Sequence, residues 1–167
     1  MELAGWWTDE RGCGMKLVKV TTVDGFSGVG CSRKAMKWGK GMMHWKRDRY
    51  APGLLCSNTV LHAFRTVEAA LYYADAWSLC GFCVDAPKLA LWEAEGTVCV
   101  EDSTKVGCFK LRTIKKIPRP RWYVNRKTRE VVFAALVKSR ACRHPRVLSD
   151  ATIGRIVKRE LKKLGLA

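Results

Sequence analysis

The sequence predicts an α+β fold: a small mixed or antiparallel sheet with one or two helices, followed by a pair of basic C-terminal helices. Three observations carry this prediction. Residues 15–23 (MKLVKVTTV), 89–100 (LALWEAEGTVCV) and 107–117 (GCFKLRTIKKI) are β-rich and partly alternate apolar with polar side chains. Residues 66–77 and 149–164 instead repeat their apolar positions every three or four residues, the period of a helix packed on one face. The charge is also uneven. Of the net +16, residues 110–167 hold eighteen Lys or Arg against Glu130, Asp150 and Glu160, a net +15, which leaves +1 for the first 109 residues.

Along the chain, residues 1–14 read as an irregular leader whose Trp6 and Trp7 pack back on the body. The strand at 15–23 runs into a turn-rich loop, DGFSGVG. Residues 33–50 (RKAMKWGKGMMHWKRDRY) form a basic patch, seven Lys or Arg against Asp48, interleaved with Trp38, His44, Trp45 and Tyr50 and loosened by Gly39 and Gly41. After the Pro52-Gly53 turn, 54–60 is apolar and extended. Thr66 then caps a helix with Glu68 in its first turn and Val67, Ala70, Leu71, Ala74 and Trp77 on one face. The strands at 89–100 and 107–117 end at Pro118 and Pro120, where the charge balance changes. That step places a boundary between an α+β domain, 1–117, and a basic helical extension, 118–167.

In the extension, Ala134-Ala135-Leu136 and the basic end KSRACR favour a helix over 128–142. The alternative is a hairpin of 122–124 with 130–134 across NRKT. The last helix is better marked. Ser149 is its N-cap, Asp150 meets the positive end of its dipole, and Leu148 can staple to Ile153. Ile153, Ile156, Val157, Leu161 and Leu164 form one stripe, and Gly165 stops the helix.

These two helices and their turn resemble a helix-turn-helix, in which the second helix enters the major groove. The turn here is longer than the usual three or four residues. Arg155, Lys158, Arg159, Lys162 and Lys163, with Arg143 and Arg146 in the turn, are the candidate contacts to phosphates or base edges. In the second basic patch Lys37, Trp38, Lys40, Trp45, Lys46 and Arg47 suit an unpaired strand, with bases stacking on rings and phosphates meeting cations; the alternative is a surface loop whose tryptophans are buried beneath lysine stems. The expected partner is therefore DNA or RNA. An acidic host protein or a ribonucleoprotein is the alternative for the same charge.

The middle of the chain carries a further resemblance. Cys56, His62-Ala63-Phe64, the pair Tyr72-Tyr73, Glu93 with Gly96, and Asp102 with Lys105 are similar to the pattern of a small uncharacterised domain of phage and bacterial genomes. The match covers about 17–117, and departs where the family's Gly-Phe-His step reads Val60-Leu61-His62. It implies a phage or bacterial setting. Within that span Glu93-x-Glu95 is similar to the carboxylate pair of arginine-directed ADP-ribosyltransferases. That likeness would make Glu93, Glu95 and His62 catalytic and NAD the cofactor, with the basic tail targeting nucleic acid. The alternative is two solvent-facing glutamates on an amphipathic strand. Otherwise no cofactor is expected.

Cys80-Gly-Phe-Cys83 has metal-ligand spacing but lacks a second close pair, since Cys142 and His144 are separated by one residue; no metal is expected. Free thiols are favoured for the eight cysteines, several of which sit in apolar strings. No apolar run reaches the ~18–20 residues of a membrane span. The opening MELAGWWTDERGCG lacks the features of a secretory signal. The expected location is the cytoplasm of a bacterium or a phage-infected cell.

Overall fold

A computed structural model describes residues 15–27, 36–45, 60–78, 89–141 and 148–166. The chain order is β1 (Met15–Thr22), β2 (Phe26–Ser27), β3 (Met36–Lys37), β4 (Met43–Trp45), β5 (Leu61–Phe64), α1 (Val67–Ser78), β6 (Leu89–Glu101), β7 (Lys105–Ile117), α2 (Arg121–Val124), α3 (Arg126–Ala141) and α4 (Asp150–Lys163). The architecture is α+β. A five-stranded sheet runs in the order β4-β7-β5-β1-β6, and β2 pairs with β3 in a second, small sheet.

Every strand pair is antiparallel. Because β7 also pairs with β6, strands β1, β6, β7 and β5 close into a ring, and β4 continues along β7 beside β5. Closure leaves these four strands few unpaired edges, and it separates two apolar surfaces. Alternate side chains turn inward to form one cluster: Leu17, Leu61, Ala63, Ala94, Val106, Cys108 and Leu111, with Trp38. The intervening positions turn outward, and Val18, Phe64, Leu89 and Leu91 join α1 and the C-terminal helices in a second cluster.

β6 and β7 are one long hairpin. At its turn, Asp102 Oδ1 accepts the amides of Thr104 and Lys105, each at 2.7 Å. A Cβ on Gly96 would meet Lys110 O at 2.7 Å, so only glycine allows the two strands to approach there.

The second cluster crosses the proline step. Trp122, Tyr123, Val132, Phe133, Leu136, Leu148, Ile153, Ile156 and Val157 pack with Ala69–Tyr72 of α1 and with the outer face of the sheet. The described residues of 118–167 keep a basic outer surface, yet their apolar side completes the core of the residues before Pro118. Each such side chain contributes about 1.5–3 kcal/mol when fully buried.

Several local expectations need correction. A strand lies before α1 at Leu61–Phe64, and of the stretch expected to be extended, 54–60, residues 54–59 fall outside the described residues. The hairpin alternative across NRKT does not form. Arg121–Val124 is a helical turn, and Asn125 Oδ1 accepts Thr128 N at 3.2 Å, which starts α3 earlier than expected. The turn-rich loop after β1 turns at Gly25, whose amide donates to Thr22 O at 3.0 Å, and then holds a short strand in which Phe26 and Ser27 pair with Lys37 and Met36. Trp6, Trp7, Cys80, Cys83, Cys142 and His144 lie outside the described residues.

Candidate nucleic-acid interface

α4 is built as its local sequence dictates. Ser149 Oγ accepts Thr152 N at 3.3 Å, Asp150 occupies the first turn, and Gly165 takes φ 67° just past the end. Leu148 and Ile153 are both fully buried. Ile156 and Val157 follow them into the core, with Leu161 packed at its edge. The expected stripe stops one turn short. Leu164 is 43% exposed because the helix ends there, and its place on the inner face is taken earlier by Glu160.

Glu160 divides the basic residues of α4 into two groups. Its carboxylate accepts Arg159 Nε at 2.7 Å and Lys163 Nζ at 3.1 Å. The hydrogen bond from Arg159, then that from Lys163, holds this carboxyl below the usual range. Arg155, Lys158 and Lys162 are exposed and make no hydrogen bond or ion pair among the described residues. They fall at i, i+3 and i+7, one face of the helix, and span about 10 Å of its length.

The first turn of α4 is already occupied. Asp150 N donates to Ser103 O at 2.9 Å, and Thr104 Oγ1 donates to Leu148 O at 3.0 Å. Arg65 reaches from the end of β5 to Glu101, to Asp102 O at 3.3 Å and towards Asp150 at 3.8 Å. The last distance is too long for a hydrogen bond. Burial pushes the Asp150 carboxyl up, against the opposing pull of Arg65. Thr152 is buried. A recognition helix needs this turn open to base edges, whereas here it is docked on the β6–β7 turn. The open part of α4 is its middle and end.

The two tryptophans of the 33–50 patch part ways in the structure. Trp38 is not a surface ring. It is buried in the inner cluster, its Nε1 donates to Ser27 Oγ at 2.6 Å, and its ring meets that of His44 at a tilt of 60° with centroids 4.4 Å apart. This burial depends on Gly25, whose φ of 86° and missing Cβ let Trp38 N reach Gly25 O; a Cβ there would meet Trp38 O at 2.4 Å. Trp45 behaves oppositely: it is 63% exposed on β4, beneath Lys110 Nζ at 5.0 Å from the ring centroid. Lys37 and Lys40 are exposed. Lys46, Arg47, Arg143 and Arg146 lie outside the described residues.

The E-x-E pair points outward from β6, on the face that carries Leu91. Each glutamate meets the cation opposite it on β7: Glu93 pairs with Lys115 at 3.3 Å and Glu95 with Arg112 at 3.7 Å. His62 lies on β5, opposite Gly107, and its carbonyl accepts Lys19 Nζ at 2.8 Å. In the ring β5 and β6 are not neighbours; β1 lies between them on one side and β7 on the other. The three residues are therefore not on adjacent strands. Among the described residues no group of three or more His, Cys, Asp or Glu is placed to hold a metal ion, and no helix is long and apolar enough to cross a membrane.

Lys110 and Arg112 escaped the sequence reading, which treated them as ordinary strand residues. Their alternation in KLR was visible; the pairing that sets them beside Trp45 and Met43 was not, because β4 and β7 are distant in sequence. Comparison with protein-family models, curated proteins and solved structures finds no match.

Proposed function

We propose that this protein binds nucleic acid through its phosphates, with the outward face of α4 as the main contact surface. The observation that carries the reading is the free cationic row of Arg155, Lys158 and Lys162 on a helix whose other face is locked in the core. A solvated surface gains little from a row of unpaired like charges, which repel one another at helical spacing. A phosphate backbone turns that repulsion into attraction and releases condensed counterions. The net +15 over residues 110–167 extends the same preference. Because the first turn of α4 is docked, the reading is of backbone contact rather than base-edge readout from that turn.

Binding to DNA and RNA of fixed length, measured across a salt series, tests the proposal. The logarithm of affinity should fall linearly with the logarithm of salt. Lys158→Ala with Lys162→Ala should make the slope shallower by about two on B-DNA, at roughly 0.9 per contact. Affinity that is absent, or that barely responds to salt, would refute the proposal.

A further inference from the structure

The outer surface of the ring differs between its two ends. At one end Val18, Phe64, Leu89 and Leu91 pack against helices. At the other, register sets Met43 and Trp45 of β4 beside Arg112 and Lys110 of β7, then Glu95 and Thr97 of β6, then Lys16 of β1 beside Glu95. The residues adjoining them, Leu111 between Lys110 and Arg112 and Ala94 before Glu95, belong to the inner cluster, so this row points outward. Trp45 is the most exposed large hydrophobic side chain among the described residues, and Met43 beside it is 38% exposed. An exposed indole in a row with Lys110, Arg112 and Lys16 suits a partner that is both aromatic and anionic.

We infer that Trp45, Lys110 and Arg112 form a stacking platform for an unpaired nucleic-acid strand. The inference rests on the nucleic-acid reading above and adds to it the form of the substrate. A base offers a flat π-face to an indole, and the adjoining phosphates meet the flanking cations. In a duplex those faces are hidden in the stack. The platform is also held in place before any ligand arrives. Thr113, fully buried, donates its hydroxyl to Gly39 O, its amide donates to Met42 O at 2.9 Å, and Gly41 N donates to Thr113 O at 2.8 Å. Gly41 at φ 72° supplies the turn that returns the chain into β4. The segment leading to Trp45 is thereby fastened to β7, so little ordering accompanies binding. Glu95, paired with Arg112, is the one acid of this row, and it competes with phosphate for that guanidinium.

The test uses the full chain with oligo-dT and oligo-U of equal length and with a duplex of the same length, by fluorescence anisotropy. Trp45→Ala should weaken binding to both single strands about ten-fold and leave duplex affinity and the salt slope unchanged. Trp45→Phe should recover most of the loss, since a phenyl ring still stacks. Glu95→Gln should tighten single-strand binding, because Arg112 is then free for phosphate. A thermal melt of each variant confirms the fold, and the exposure of Trp45 makes an unchanged melt the expectation. If the wild-type chain binds with a clear salt slope but Trp45→Ala leaves single-strand affinity unchanged, or weakens duplex equally, the platform is refuted while phosphate binding stands. If the wild-type chain binds none of the three probes, both readings fall.

Discussion

Lys19 projects from β1 to the inner side of the ring, where its ammonium lies 4.9 Å from the centroid of the Trp38 ring and donates to His62 O. Burial lowers its pKa from 10.5 to about 8, although the neighbouring Cys108 raises it. Burial in turn pushes the Cys108 thiol up to about 12. Between pH 8 and 10.5 the unfolded chain binds more protons at this position than the folded one, so stability rises with pH through that window. Below pH 8 the full cost of the buried ammonium is present. Lys19→Met keeps the apolar stem and removes the charge. It should therefore stabilise the protein at pH 7 by about 1–3 kcal/mol and flatten the rise above pH 8. Thermal melts of both proteins at pH 7 and pH 9.5 check this, and a destabilised variant at pH 7 would mean that the contacts to Trp38 and His62 outweigh desolvation. Lys19 was not legible as a core residue, because a lysine in an alternating strand is expected to face water. For Trp38 the sequence left burial beneath lysine stems as one of two readings, and Gly25 together with strand pairings far away in sequence decides it.

At the level of elements, legibility follows the range of the interactions. α4 could be read almost residue by residue, because its cap, dipole charge, apolar stripe and glycine stop all act within one or two turns. Ser149→Ala should accordingly cost about 1 kcal/mol, read as a lower denaturation midpoint. α1 was equally plain: Thr66 Oγ1 accepts Ala69 N at 3.2 Å, as a cap should. The ring closure was not readable, since β4 and β5 are only three and four residues long and pair with β7 across long stretches of chain. Glu160 was missed for another reason. It occupies a place that the stripe assigns to an apolar side chain, and it remains there by binding Arg159 and Lys163. Glu160→Gln should release both cations, making the salt slope for B-DNA steeper by about one to two. An unchanged slope would show that these two side chains stay turned away from the phosphate backbone.

For the whole molecule, charge and packing divide the chain differently. Net charge changes sharply near Pro118, and it is set by the residues that face water. The core is set by those that face inward, and it continues without a break from Val18, Leu71 and Leu91 to Tyr123, Leu136 and Ile153. Counting charges along a sequence finds the first division and is blind to the second. Removing residues 118–167 would strip Tyr123, Val132, Leu136, Leu148 and Ile153, all fully buried, from that cluster, along with the bonds that Ser103 and Thr104 make to the start of α4. At about 1.5–3 kcal/mol for each side chain, the loss from these five matches the entire 5–15 kcal/mol by which a domain is usually stable. The remainder would also uncover the side of α1 that packs on α4, an apolar surface with nothing left to cover it. Residues 1–117 alone should therefore show no cooperative thermal transition and should aggregate at concentrations where the full chain stays dispersed. Calorimetry of the two chains decides the matter. A sharp transition in the truncated chain would show that the ring and α1 hold a sufficient core by themselves, and that the basic helices are an attachment rather than a part of it.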